Sequence, residues 1–73
     1  MTNYEYELFD GEYFHTLNII EIDKDNMQAT IAITYAGKIS VQEFDLQEDE
    51  DGLYFEYTPF TDIIHINDFE YMN

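Results

Sequence analysis

The sequence predicts a small all-β domain of about five to six antiparallel strands, in a meander, small barrel or compact sandwich. Apolar and polar residues alternate with period two in several segments, turn residues separate those segments at short intervals, and aromatic and β-branched side chains fill them. The chain has 73 residues, with 45% hydrophobic and 18% aromatic content, including seven Tyr and six Phe. That length fits one domain, residues 1–73, and the aromatic payload argues against disorder.

Taken in order, Tyr4, Tyr6 and Leu8 alternate with Glu5 and Glu7, and Asp10-Gly11 reads as a tight turn. In the next segment the apolar residues are Phe14, Leu17, Ile19, Ile20 and Ile22. Their alternation is imperfect, which implies a bulge or burial on both faces. After the polar turn Asp23-Lys24-Asp25-Asn26 comes the clearest strand, with Met27, Ala29, Ile31, Ile33 and Tyr35 on one face. Ala36-Gly37-Lys38 turns the chain again. Ile39, Val41, Phe44 and Leu46 mark a further strand that changes face between Val41 and Phe44. The acidic loop Gln47-Glu48-Asp49-Glu50-Asp51-Gly52 leads into Leu53, Phe55 and Tyr57, so the two flanking strands read as a hairpin. Pro59 ends that strand, because proline cannot donate to a ladder. A last strand is expected over 62–66, followed by a short acidic tail, 67–73. Phe60, Ile63, Ile64 and Tyr71 also fit one face of a short C-terminal helix, which makes α+β the alternative class.

Charge is the second signal. Seventeen Asp and Glu stand against two lysines, for a formal net charge of −15. An ordinary solubility surface mixes both signs and carries a net charge of about 2–8. Self-repulsion on this scale weakens a small fold, so either salt-dependent stability or a homodimer with an enlarged core is expected. Direct nucleic-acid binding and anionic membranes are both disfavoured. The tyrosines could stack bases only beside a basic groove, which Lys24 and Lys38 cannot make. The absence of cysteine excludes disulfides and thiolate metal sites. No signal peptide or membrane-length apolar run is visible, so a cytoplasmic protein is expected.

Enzyme chemistry is not expected. Nucleophile-elbow, phosphate-loop and HExxH patterns are missing from the sequence. His15 and His65 read as strand residues on polar faces. The acidic runs at Asp23 and Asp49 fail the calcium-loop spacing: Met27 and Gln28 occupy positions needing an oxygen ligand and a glycine, and Gly52 comes too early. No metal or cofactor is expected.

The carboxylates themselves remain. Residues i and i+2 of a strand lie on one face about 6.6 Å apart, close to every second phosphate at about 3.4 Å per nucleotide. Glu5 with Glu7, and Glu43 with Asp45, have that spacing. Glu43, Asp45, Glu48, Asp49, Glu50, Asp51 and Glu56 gather around the predicted hairpin, with Tyr54 and Tyr57 as exposed apolar anchors.

In size, lack of cysteine, extreme acidity and aromatic-rich strands, the whole chain resembles the small acidic DNA-mimic inhibitors encoded by bacteriophages and mobile elements. The resemblance is one of class, not of motif. Members of that class block glycosylases, restriction enzymes, nucleoid proteins, CRISPR effectors or replication factors. It implies a chain that occupies the basic DNA-binding surface of a host protein, a sliding clamp among the candidates, and blocks DNA without chemistry. The alternative is an acidic adaptor that binds a basic protein alongside DNA instead of imitating it.

Overall fold

The computed structural model describes residues 4–60 and 62–72. Residues 1–3, Thr61 and Asn73 lie outside the described residues, the ends of the predicted domain and tail among them. The strands are β1 (Tyr4–Phe9), β2 (Phe14–Asp23), β3 (Gln28–Tyr35), β4 (Lys38–Asp45), β5 (Gln47–Asp49), β6 (Gly52–Tyr57), β7 (Asp62–His65) and β8 (Glu70–Tyr71). One sheet has the order β4-β3-β2-β1-β8 and the other β5-β6-β7, and every pairing is antiparallel. The class is all-β, and the first four strands form a meander.

Turn chemistry sets these strand ends. Asp10 Oδ1 accepts from the backbone N–H groups of Glu12 and Tyr13, at 2.8 and 2.7 Å. Asp23 Oδ1 accepts from those of Asp25 and Asn26, at 3.1 and 3.2 Å, and Asp49 Oδ1 from that of Asp51, at 2.8 Å. In each case a short side chain satisfies backbone donors that the turn leaves unpaired. The β3–β4 turn relies on backbone conformation: Ala36 and Gly37 have φ of 51° and 79°, as a two-residue type I′ hairpin requires.

Register sorts the large sheet into two faces. Leu17, Ile31 and Ile33 point inward, whereas Glu5, Asn18, Ala32 and Val41 lie in one row on the opposite face. The inner face packs against the small sheet. Leu17, Ile19, Ala29, Ile31 and Ile33 meet Leu46, Phe55, Tyr57, Ile64 and Phe69 in one buried cluster. Aromatic contacts cross the interface, with Phe44 to Phe55 at 4.8 Å and Tyr6 to Phe69 at 5.5 Å between ring centroids. Such pairs add to the hydrophobic gain of burial.

Three expectations need correction. Among the described residues the strands number eight in two sheets, more than the five or six expected, because the acidic loop and the tail contribute the short β5 and β8. The β4 strand does not pair with β6. It completes the large sheet against β3, and the hairpin is β5–β6, closed by the Asp49–Gly52 pair. Within the stretch read as a tail, Phe69 is only 6% exposed and Glu70–Tyr71 pairs with β1. A single apolar residue among acidic neighbours suffices to dock a segment when it fills a core site. Among the described residues the same region forms no C-terminal helix beyond the 3-10 turn Ile66–Asp68.

Phe69→Ala is expected to cost about 3–5 kcal/mol in urea denaturation. Val41→Ala, on the solvent face, is expected to change stability by no more than about 0.5 kcal/mol.

Candidate functional site

The outer face of the large sheet collects carboxylates from four of its five strands. Glu5 and Glu7 stand on β1, Glu43 and Asp45 on β4, as expected. Glu21 and Asp23 of β2 and Glu70 of β8 join them. Glu21 and Glu43 flank Thr30, and Asp23 and Asp45 flank Gln28, each pair two strands apart. With strands about 4.8 Å apart and same-face residues about 6.6 Å apart, these four form a grid of roughly 7 by 10 Å. At the other edge, Glu5 is the direct cross-strand partner of Glu70. Like charges placed directly opposite destabilise a sheet.

Among the described residues no cation shares this face. Lys38 pairs with Tyr35 on the inner parity, and Lys24 sits in the β2–β3 turn. Neither lysine is within ion-pair distance of a carboxylate among the described residues. Beside the Glu5–Glu70 pair, a shallow open groove of about 310 Å³ is lined by Glu5, Glu7, Asp68 and Glu70, with Tyr6 and Met72. Four carboxylates around a slot of that size suit a lysine or arginine side chain.

Glu21 and Asp23 escaped sequence reading for a definite reason. In unbroken alternation with Leu17 and Ile19 they would point into the core. A register shift between Ile19 and Glu21 inserts Ile20 and reverses the parity, so Glu21 and Asp23 turn outward and Ile22 inward. The imperfect alternation implied a bulge or burial on both faces. It did not say which carboxylates the bulge would expose.

The other predicted group stands apart. Glu48, Asp49, Glu50, Asp51 and Glu56 lie on β5, on β6 or in their connecting turn, in the small sheet. They are exposed, but they do not share the face of Glu43 and Asp45. Here Asp49 accepts from His65 Nε2–H through both carboxylate oxygens, at 3.0 and 2.9 Å. That bond, followed by the backbone N–H of Asp51, holds the Asp49 carboxyl below its ordinary pKa. Asp49, Asp51 and His65 bring possible ligand atoms within 4.8 Å of one another, with Asp49 and His65 already paired to each other. Tyr54 is half-buried, its hydroxyl donating to Gln47 Oε1 at 2.9 Å.

Tyr57 is not the exposed anchor expected from the sequence. It is 3% exposed, stacks on Phe60 at 5.7 Å, and its hydroxyl meets His15 Nδ1 at 2.9 Å. Burial, with a smaller effect from Tyr35, pushes its phenol pKa up. His15 is likewise inside, 6% exposed among Tyr35, Tyr57 and Phe60, instead of on a polar face. Its Nε2–H donates to Asp10 Oδ2 at 3.0 Å, so the ring links the two sheets and ties both to the β1–β2 turn. Strand parity placed these side chains inward, and hydrogen bonds satisfied their polar atoms.

No family model, curated protein or solved structure matches this chain. Among the described residues no helix is long and apolar enough to cross a membrane.

The Asp10 carboxyl has a pKa of about 2, lowered from 3.8 by the N–H groups of Tyr13 and Glu12 and then by His15. A depressed folded-state value contributes stability that is present above the unfolded pKa and is lost as pH falls through the folded one. Asp10→Asn should therefore remove a stabilising contribution that is fully present above pH 3.8 and fades between pH 3.8 and about 2. Urea midpoints of wild type and variant should converge as pH falls across that window. Glu70→Gln should raise stability by about 0.2–1 kcal/mol, more at low salt, because it removes the facing like charge. Thermal melts at two ionic strengths check the second effect.

Proposed function

We propose that this protein is a phage-type DNA mimic, which occupies the basic DNA-binding surface or channel of a host protein and excludes DNA by occlusion. The observation that carries the reading is the outer face of the large sheet. Carboxylates from β1, β2, β4 and β8 share it without a cation, and Glu5 is set directly against Glu70 at a cost to stability. A purely structural sheet gains nothing from such a pair. A surface selected to meet lysine and arginine gains from it on binding.

Charge density supports the same reading. The longest dimension of the protein is 34 Å. Duplex DNA, at one charge per roughly 1.7 Å, carries about 20 charges over 34 Å, against the −15 of this chain. The protein therefore has about three quarters of the linear charge of DNA. Held on paired strands, these charges need little ordering when a basic surface arrives. Charge sets steering and register more than affinity. Ile39 and Val41, 72% and 61% exposed beside the acidic grid, supply apolar contact area that Tyr57 cannot. A basic channel such as that of a sliding clamp is one target of the right chemistry.

Immobilised protein should capture one DNA-binding partner from bacterial lysate at low salt and release it to excess duplex DNA. The same partner, purified, should bind with an affinity that falls steeply as salt rises. Replacing Glu5, Glu21, Glu43 and Glu70 by Gln should weaken that binding by at least about tenfold, the equivalent of 1.4 kcal/mol. A partner retained in the presence of duplex DNA would sink mimicry in favour of an adaptor. A charge-reversed hairpin, with Glu48, Asp49, Glu50 and Asp51 changed to Lys, tests whether the small sheet takes part.

A further inference from the structure

We infer that β4 is the seam of a symmetric dimer, in which two copies pair edge to edge and extend the large sheet across the two-fold axis. Among the described residues four strands form sheet edges: β4, β8, β5 and β7. Three of them are short, at two, three and four residues, which is one common way to blunt an edge. The β4 strand is eight residues long, exposed at every position but Phe44, and contains neither proline nor bulge. A long, regular, open edge is a template for another strand.

The free backbone groups can be assigned. Tyr35 and Lys38 close a two-residue hairpin, and Leu46 N–H donates to Met27 O at 2.8 Å at the far end of the same ladder. Even-numbered β4 residues therefore bond to β3. Because the pattern alternates, Ile39, Val41 and Glu43 direct their N–H and C=O groups to the open edge. Their side chains lie on the outer face, where Ile39 and Val41 are 72% and 61% exposed.

The occupant is a second copy because charge leaves no other approach. Residues 26–42 contain no Asp or Glu and one Lys, while the seventeen carboxylates lie outside that stretch. Two chains of charge −15 repel everywhere except across this zone. Two-fold symmetry adds a further condition. An antiparallel self-pairing must place one residue opposite its own copy, so that outer face continues outer face. Centring the axis on Ser40 puts Ile39 against Val41 of the other copy, and Val41 against its Ile39. Both are pairs of edge-directed residues, as a hydrogen-bonded pair requires. The acidic side chains stay clear of the seam: Glu43 falls opposite Gly37, and the two copies of Glu43 stand about 20 Å apart. Centring on Val41 would instead set Ile39 against Glu43. The axis runs through the sheet, so both acidic faces point the same way. The inference does not depend on what that face binds.

The test uses the intact chain in sedimentation equilibrium at about 0.05 and 0.5 M salt. A species of twice 8.8 kDa is expected, with an association constant that rises with salt by roughly tenfold or more as repulsion is screened. This is opposite in sign to the salt dependence expected for binding a basic partner, so the two ideas fail separately. Val41→Glu, at a position 61% exposed in the single chain, should abolish the dimer and leave the melting temperature nearly that of the wild type diluted to monomer. Ser40→Cys should form a disulfide-linked dimer under mild oxidation, since facing non-hydrogen-bonded residues have Cα atoms about 4.5 Å apart. Gln42→Cys should not, its copies being roughly 13 Å apart. A monomer at both salts, a dimer indifferent to Val41→Glu, or equal cross-linking of the two cysteine variants would each overturn the seam.

Discussion

Mutual repulsion among carboxylates that almost no cation relieves is the constraint on which this structure depends. An ionised carboxylate can be buried only with a partner that offsets its lost hydration. Two lysines cannot serve seventeen acids. All the acids accordingly stay exposed or half-buried, and His15 is the one polar residue in the buried set among the described residues. The interior must then be built from apolar and aromatic side chains, and the acids must be distributed over the outer faces of two sheets and their turns. Aspartates at turn starts reconcile charge with structure, because backbone N–H groups supply there the stabilisation that cations do not.

Coherence between the sheets comes from rings. Phe44, Phe55 and Phe69 bridge the layers at the β4 and β8 ends, while His15, Tyr57 and Phe60 do so near the β1–β2 turn. His15 is the only member of this set that also reaches a carboxylate, at Asp10. The contact couples the acidic exterior to the core, and it gives the β1–β2 turn a tertiary anchor beyond its own hydrogen bonds. The acidic outer face is thereby carried on two packed sheets, which is what the proposed presentation of charge at fixed spacing would require.

Charge also divides the surface by role. The acidic grid and the groove by Glu70 favour basic surfaces. In the inferred dimer the neutral β3–β4 zone would meet a like-charged copy, with Ile39 and Val41 offering apolar area where repulsion is weakest. Salt acts on these two kinds of contact with opposite sign, since screening weakens attraction between unlike charges and relieves repulsion between like ones.

The imperfect alternation of β2 left a bulge and two-sided burial both open, but the linear pattern was enough for the all-β class, most of the turns and the excess of negative charge, since alternation, turn chemistry and charge are local or additive properties. It was also enough to pair Glu5 with Glu7 and Glu43 with Asp45, because period-two spacing puts them on one face whatever the strand pairs with. Long-range pairing was beyond it. Whether β4 joins β3 or β6, whether Phe69 docks or trails, and whether Tyr57 points out or in all depend on which sheet buries which face. The union of Glu5, Glu21, Glu43 and Glu70 on one surface arises from register across the five strands of the large sheet. Register is set by the whole set of packed side chains, and no segment carries it alone.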